Sequence, residues 1–266
     1  MKDSLKYQLC ACGKKGLPQQ IEFNGAVYKL QKVFKHDFFA ATGLYRSSSR
    51  PAKKRASTPA RVVLKLGRQQ HLLGLPMAWV GRFFCDHEVS ILRRLEGLAG
   101  VPRFLSLYGD TGFICEYINA NSLDNQNKLP RDFFNKLANL LQQVHQRDVA
   151  YLDMNKRDNI LIDRKGRPYL IDFQISLHVG KSLLVWPGLS DYMRNILQGA
   201  DIYHLYKHKR KLAPELLTPE EDALSRNVGP WISIHRTVAT PWRKIRRAAL
   251  KLLRNKGIIA DHKDTA

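Results

Sequence analysis

Residues 151–173 read YLDMNKRDNILIDRKGRPYLIDF, and this stretch decides the fold. Two short apolar runs flank KGRP at residues 165–168, which predicts two strands joined by a turn. If the strands pair antiparallel, Asn159 at the start of the first lies beside Asp172 at the end of the second. Asp153 lies just upstream of both. Carboxylate and amide oxygens in one place favour Mg²⁺ and phosphate, whereas polar residues that only cap a hairpin are the alternative interpretation.

A second pair of charged residues lies upstream, on a predicted strand and a predicted helix. The run RVVLKL at residues 61–66 has a strand pattern that places Val63 and Lys65 on one face. Glu88 shares the apolar face of a helix predicted over residues 86–98. Because a lone buried charge is costly, we expect Glu88 to be paired, and Lys65 is the obvious partner. A position at the edge of an amphipathic helix is the alternative for Glu88.

The order of these residues resembles that of the protein-kinase-like superfamily. Kinase catalytic loops read H-R-D-x-x-x-x-N and are followed by a strand hairpin and D-F-G. The matching residues here are Asp153, Asn159 and the run Asp172-Phe173-Gln174. The resemblance implies that Asp153 orients an acceptor hydroxyl and accepts its proton, and that Asn159 and Asp172 hold Mg²⁺. The order of the predicted elements, strands first and helices later, favours an α+β protein in two lobes. The resemblance implies the same fold, with a strand-rich N-lobe and a helical C-lobe.

The resemblance extends to the nucleotide-binding half of the chain. Lys65 matches the Lys of the V-A-I-K strand, which implies that it anchors the phosphates of ATP while Glu88 holds it in place. Val63, on the same strand face, is included among the expected nucleotide-binding residues. The run FICEYI resembles the strand that ends at the kinase hinge, where the backbone of Glu116 and Ile118 would hydrogen-bond adenine.

Three departures from the kinase pattern bear on function. Tyr151-Leu152 replaces His-Arg, which argues against control by a phosphorylated activation loop. The catalytic loop holds one extra residue, so either Lys156 or Arg157 reaches the γ-phosphate, and Lys156 is included among the catalytic candidates. Gln174 replaces the Gly of D-F-G, which makes a backbone flip harder. The first and third departures resemble atypical bacterial members, such as lipopolysaccharide core kinases and Rio-type kinases.

The sequence between the first two predicted strands contains no G-x-G-x-x-G. Residues 35–40 (KHDFFA) occupy that turn, so Lys35 and His36 would have to supply the charge that attracts phosphate. This feature favours a second hypothesis: a catalytically weak or inactive kinase-like module that binds RNA or an anionic membrane through its basic surface. The presence of all three catalytic residues, Asp153, Asn159 and Asp172, argues against that hypothesis.

The charge distribution and the breaks in pattern predict how the chain is organised. The net charge is +21, and most of the excess falls in two stretches without acids, which favours an anionic partner over a plain solvated surface. The predicted parts are a poorly ordered lead-in over residues 1–20, an N-lobe over 21–118 with a flexible basic loop at 46–61, a C-lobe over 119–222, and a basic helical extension over 223–266.

The expected acceptor is a hydroxyl of a cell-envelope sugar, such as the lipopolysaccharide core, or of a protein Ser/Thr. Asp201 resembles the Asp of a kinase C-lobe helix that holds the catalytic loop, with a helix N-cap as the alternative interpretation. The run A-P-E at residues 213–215 follows Asp201 instead of preceding it, so no peptide-docking A-P-E is recognised, which favours the sugar. A basic amphipathic stripe over residues 241–256 indicates an anionic membrane surface and, with less weight, nucleic acid. Without a signal peptide or spanning segment, we expect a cytoplasmic protein, peripheral at the inner face of the membrane if the stripe binds lipid. ATP and Mg²⁺ are the expected cofactors.

Overall fold

A computed structural model describes residues 7–48, 59–72, 74–126, 128–180 and 187–229 of the chain. These residues divide into two compact units. The first unit comprises the described residues up to Val89 together with Phe104–Tyr117. The second comprises Ser90–Arg103 and the described residues from Ile118 onward.

Two of the predicted basic segments fall mainly outside this part of the chain. They are the flexible loop at 46–61 and the helical extension at 223–266, which includes the amphipathic stripe at 241–256. Among the described helices, none combines the length and the apolar character that crossing a membrane would need.

The first unit is built on a six-stranded antiparallel sheet with the strand order β1-β2-β3-β4-β6-β5. In β4 the side chains of Val62, Leu64 and Leu66 are buried, while Val63 and Lys65 on the opposite face are less so, as the period of two predicts. The strands are β1 (Gln20–Phe23), β2 (Ala26–His36), β3 (Ala40–Ser47), β4 (Arg61–Gly67), β5 (Phe104–Tyr108) and β6 (Gly112–Glu116).

The chain before β1 packs against the buried face of this sheet. Ala11 and Leu17 are buried in one cluster with Tyr45, and the backbone N–H of Ala11 donates to the carbonyl of Asp37 at 2.7 Å. These contacts belong to the described part of residues 1–20, the segment for which the sequence predicts a poorly ordered lead-in. The residues that it contacts, Asp37 and Tyr45 among them, are distant in sequence, so no local sequence pattern predicts these contacts.

The helix α1 spans Ala78–Arg94 and begins earlier than the helix predicted from residue 86. The sequence pattern favoured a packed connector over residues 72–84 because Gly and Pro interrupt it. Gly81 nevertheless lies inside the helix. A Cβ at Gly81 would stand 2.1 Å from the carbonyl oxygen of Arg68, so glycine here permits the close approach of α1 to the end of β4.

The second unit is mainly helical. The spacing of Phe134, Leu137, Leu141 and Val144 predicts a helix with one apolar face over residues 130–145, and the helix α2 (Phe133–His145) buries that face. The helices α3 (Pro187–Leu212) and α4 (Pro219–Arg226) follow later in the chain. Two small antiparallel sheets complete the unit. One has the order β10-β9-β7, and the other pairs β11 with β8. These strands are β7 (Asn121–Ser122), β8 (Val149–Ala150), β9 (Ile160–Ile162), β10 (Pro168–Leu170) and β11 (Leu177–His178). A strand-rich unit and a mainly helical unit confirm the predicted α+β class, consistent with a kinase-like fold.

Candidate active site

In the first unit, Lys65 and Glu88 form a buried ion pair. Lys65 Nζ lies 2.7 Å from Glu88 Oε2 and 2.9 Å from Oε1. The side chains are 13% and 5% exposed, so both charges are largely removed from water. At such depth each charge depends on the other, because an uncompensated buried charge is strongly destabilising. The pairing expected from the strand and helix patterns is therefore present, and it fixes the ammonium group on one face of β4.

In the second unit, two side chains of one loop, those of Lys156 and Asn159, converge on Asp153. Asn159 Nδ2 donates to Asp153 Oδ2 at 2.6 Å, and Lys156 Nζ donates to the same oxygen at 2.7 Å. Asp153 Oδ1 accepts no hydrogen bond from the described residues, so one oxygen of this buried carboxylate remains able to accept a proton from another molecule. The amide of Asn159 must turn its NH₂ group toward the carboxylate, which directs its carbonyl Oδ1 elsewhere.

The environment of Asp153 makes this carboxylate more basic. Burial is the main influence and raises the pKa of Asp153 above its ordinary value. The hydrogen bond and charge of Lys156 oppose that effect, while the negative charge of Asp172 reinforces it. A carboxylate with a raised pKa is a better proton acceptor near neutral pH.

Asp201 holds the start of this loop from α3. Its Oδ2 accepts the backbone N–H of Tyr151 and its Oδ1 that of Leu152, both at 2.7 Å. The same carboxylate lies 3.0 Å from His145 Nε2. Asp201 is 1% exposed and lies well inside α3, so its alternative interpretation as a helix N-cap is excluded. Leu152 adopts a φ of 62°, a conformation unfavourable for a branched side chain, and these hydrogen bonds help to stabilise it.

The pairing of β9 with β10 brings the backbones of Asn159 and Asp172 to one end of the hairpin. Leu170 pairs with Ile160 in the antiparallel register, and the next N–H, that of Ile171, donates to the carbonyl of Asn159 at 3.0 Å. The hairpin predicted from the sequence is therefore present. Asp172 has a φ of 60°, which Asp tolerates better than most residues.

Tyr151 contributes more to this hairpin than its substitution for the kinase His suggested. Its hydroxyl donates to the carbonyl of Ile171, and its ring meets that of Phe173 edge to face with centroids 5.0 Å apart. The residue is fully buried. It thus ties the start of the loop to the residues on both sides of Asp172, a role that no sequence spacing could reveal.

The two candidate loop cations have different partners. Arg157 forms an ion pair with Asp124 at 2.6 Å between Nη2 and Oδ1, whereas Lys156 contacts Asp153 and is 58% exposed. The structure therefore keeps Lys156, and not Arg157, at the carboxylate. The sequence did not predict Asp124 as the partner of Arg157, because Asp124 lies in a separate turn, after β7.

The remaining predicted nucleotide-binding residues lie at the end of β6 and on β4. Glu116 ends β6 and pairs with Val62, while Val63 pairs with Cys115 on the face that carries Lys65. Ile118 belongs to the second unit, and its carbonyl accepts the N–H of Ala120 at 3.0 Å. Adenine binding by Glu116 and Ile118 stays a prediction.

In the turn between β2 and β3, the two residues expected to attract phosphate, Lys35 and His36, are engaged within the chain. Lys35 is paired with Asp37 at 2.8 Å, and His36 Nε2 accepts the N–H of Cys12 at 3.2 Å, so that nitrogen carries no proton. Burial lowers the pKa of His36. The backbone N–H groups of Phe39 and Ala40 both donate to Asp37 Oδ1, at 2.9 and 3.0 Å. A carboxylate of the chain therefore occupies the amides that a glycine-rich loop would offer to phosphate.

Comparison with known proteins supports a protein-kinase-like relationship. No family model matches the chain. It is similar to a protein described as a probable cAMP-dependent protein kinase catalytic subunit from Encephalitozoon cuniculi, with 30% identity over 121 residues. The match covers 41% of this chain and 37% of that protein, so the chain spans little more than a third of that relative. The atypical bacterial groups named above receive no separate support from this match.

Proposed function

We propose that the protein is an ATP- and Mg²⁺-dependent phosphotransferase that acts on a hydroxyl group. The observation that carries this proposal is the arrangement at Asp153, where Lys156 and Asn159 bind one carboxylate oxygen and leave the other able to meet an acceptor. The paired Lys65 of the first unit and the general similarity to a protein kinase support the same reaction class.

The proposed reaction uses these groups in separate roles. The acceptor O–H donates to Asp153 Oδ1, its oxygen attacks the γ-phosphorus of ATP, and the proton passes to Asp153. The bond from the γ-phosphorus to the β–γ bridging oxygen breaks, and ADP leaves. Lys65 binds the α- and β-phosphates, and Lys156 lies beside the carboxylate where it stabilises charge on the transferred group. Catalysis of this kind depends mainly on positioning and electrostatic stabilisation.

The donor set at the end of the β9–β10 hairpin fits Mg²⁺. Asp172 supplies a carboxylate and Asn159 an amide oxygen, both hard ligands that Mg²⁺ prefers. Among the described residues, no group of three or more His, Cys, Asp or Glu could hold a metal ion. The proposed ion is therefore one that keeps water and phosphate oxygens in its shell, as Mg²⁺ characteristically does. Bound there, it would neutralise charge on the phosphates.

For the acceptor, we favour a sugar hydroxyl of the cell envelope over a protein Ser/Thr. In protein kinases the peptide-docking segment with A-P-E lies between D-F-G and the helix that carries the loop-holding Asp. Here α3 already begins at Pro187 and contains Asp201, so little chain remains for such a segment. Residues 213–215 come after α3, where they cannot serve that purpose.

Side-by-side labelling tests the reaction and the acceptor together. The protein is incubated with ATP labelled at the γ-phosphate, with and without Mg²⁺, and with either a cell-envelope extract or a protein extract. We expect Mg²⁺-dependent label in the envelope fraction. Label confined to protein would leave a kinase with the other acceptor, and no ATP turnover under any condition would contradict the proposed function.

A specific observation favours the second candidate, a weak or inactive kinase-like module that binds RNA or an anionic membrane. Asp37 occupies the amides of the β2–β3 turn, and Lys35 and His36 are both engaged within the chain, which argues for weak phosphate binding there. Absence of turnover together with salt-sensitive binding of RNA or anionic vesicles would support this candidate. The intact arrangement at Asp153 favours the first.

A further inference from the structure

The sheet of the first unit gathers positive charge on one face through two irregularities in β2. Lys29, Lys32 and Lys35 are spaced by three residues, and a regular strand would direct them alternately to opposite faces. The register shifts between Leu30 and Lys32 and again between Val33 and Lys35. Each shift adds one residue to β2, so all three lysines lie on the same face.

The partners of these lysines show which face this is. Lys29, Lys32 and Lys35 pair with Arg46, Leu44 and Thr42 of β3. The same three residues of β3 pair with Arg61, Val63 and Lys65 of β4. The lysines of β2 therefore share the face that carries Lys65.

Three cations form a row across this face. Lys29 lies opposite Arg46, and Arg46 lies opposite Arg61, so the row crosses three strands and spans about 10 Å. Lys29 and Arg46 are exposed, and the guanidinium of Arg61 stacks on Tyr117 at 4.6 Å from the ring centroid. We call these three cations the cationic row.

The cationic row lacks acids of the kind that accompany Lys35 and Lys65 on this face. Lys35 is paired with Asp37 and Lys65 with Glu88, but no ion pair joins any member of the row to a described residue. Like charges directly opposite each other on a sheet are destabilising.

We propose that the cationic row binds an anion that carries several phosphate groups. Its central position is Arg46, whose planar guanidinium can bind phosphate through two hydrogen bonds. Arg61 lies four residues from Lys65, about 13 Å along β4, so this site is separate from the proposed anchor for ATP. The inference does not depend on catalysis.

The size of the cationic row favours a small polyphosphate or a phosphorylated headgroup over nucleic acid. A nucleic-acid track requires a longer groove and exposed rings on which bases stack, whereas this row is three strands wide. The ring of Tyr117, which lies against Arg61, is half-buried and covered by that guanidinium. A free polyphosphate and a phosphorylated lipid headgroup would be recognised by the same cations. The test therefore has a separate arm for each of these two sources of phosphate.

The test measures tripolyphosphate binding to the full chain by calorimetry without Mg²⁺, so that the proposed metal site takes no part. The triple variant K29Q/R46Q/R61Q should bind tripolyphosphate about 100-fold more weakly than wild type, because the loss of each charge should lower the affinity about fivefold. The control R164Q/K165Q/K211Q removes three exposed cations from the second unit and should bind as wild type does. The single variant Arg46→Gln should show an intermediate loss.

Thermal melting checks that the variants fold and tests the repulsion directly. The triple variant should melt no lower than wild type, because it relieves like-charge contacts, and tripolyphosphate should raise the melting temperature of wild type but not of the triple variant. A second arm measures sedimentation with phosphatidylcholine vesicles that do or do not contain phosphatidic acid, which distinguishes a lipid source from a free one.

Each outcome decides the inference. Selective loss of tripolyphosphate or phosphatidic acid binding in the row variants supports it. Equal losses in the row and control variants indicate a non-specific effect of net charge and overturn it, as does wild-type protein that binds neither probe. Row-dependent binding of a single-stranded RNA oligonucleotide without tripolyphosphate binding would also overturn it, in favour of a nucleic-acid surface.

Discussion

At the scale of single residues, the ion pair of Lys65 and Glu88 carries a measurable thermodynamic consequence. Lys65→Met leaves the buried carboxylate without this partner, and loss of one member of a buried pair costs about 3–5 kcal/mol. The double variant K65M/E88Q also removes the charge of Glu88 and should recover much of the free energy of unfolding measured by chemical denaturation. Equal stability of the single and double variants would contradict this account of the pair.

A second expectation at this scale concerns the metal-binding role of Asp172. Asp172→Ala should weaken Mg²⁺-dependent nucleotide binding more than Mg²⁺-free binding, because the carboxylate would be the charged ligand of the ion. The control Asp158→Ala removes an exposed carboxylate from the neighbouring loop and should leave both affinities unchanged. Calorimetry with and without Mg²⁺ makes the comparison, and equal losses in both conditions would remove Asp172 from the metal site.

The sequence predicted the position of a single residue well where local geometry determines its neighbour. The turn at residues 165–168 was enough to predict that Asn159 and Asp172 lie at one end of a hairpin. The choice between Lys156 and Arg157 was different, because it depends on Asp124, a partner in a separate turn. No spacing within the loop contains that information.

At the scale of elements, α3 supports the catalytic loop through His208 as well as Asp201. His208 Nε2 lies 2.8 Å from the carbonyl of Met154 and donates to it, next to Asp153 in sequence. Burial is the main cause that lowers the pKa of His208, and nearby cations, Arg157 among them, add to it. Protonation is therefore easier in the unfolded chain than in the folded one.

This shift predicts a specific dependence of stability on pH. The unfolded state binds a proton near pH 6.5 while folded His208 remains neutral, so the free energy of unfolding should fall as pH drops from about 7.5 to about 5.5. His208→Gln keeps a donor at this position and removes its titration, which should make the profile less steep, while the lowered pKa values of His36 and His178 keep part of the slope. The control His71→Gln, at an exposed position, should retain the wild-type slope. A wild-type slope in His208→Gln would contradict the role assigned to His208.

Some elements could not be predicted from the sequence because tertiary contacts determine them. Gly81 suggested a break, yet α1 continues through it since the helix packs tightly against Arg68. The bulges of β2 leave no recognisable pattern, although they determine the face on which three lysines lie. By contrast, β4 and α2 were predicted because each buries one regular face.

At the scale of the whole molecule, the α+β class followed from the order of the elements, strands first and helices later. The net charge of +21 predicted an anionic partner without locating it. The cationic row provides one candidate location within the first unit, and it arises from cross-strand register, which composition does not encode. The similarity to a protein kinase spans too little of either chain to specify the acceptor.

The measurement that tests the central claim most directly is phosphoryl transfer by Asp153→Asn, with Asp158→Asn as the matched control in the same loop. Asp153→Asn should reduce Mg²⁺-dependent transfer from labelled ATP by a factor on the order of 10²–10⁴, the usual contribution of a positioned proton acceptor. Nucleotide affinity should stay near that of wild type, and Asp158→Asn should remain active. Wild-type turnover in Asp153→Asn, or an equal loss in both variants, would contradict the assignment of Asp153 as the catalytic carboxylate.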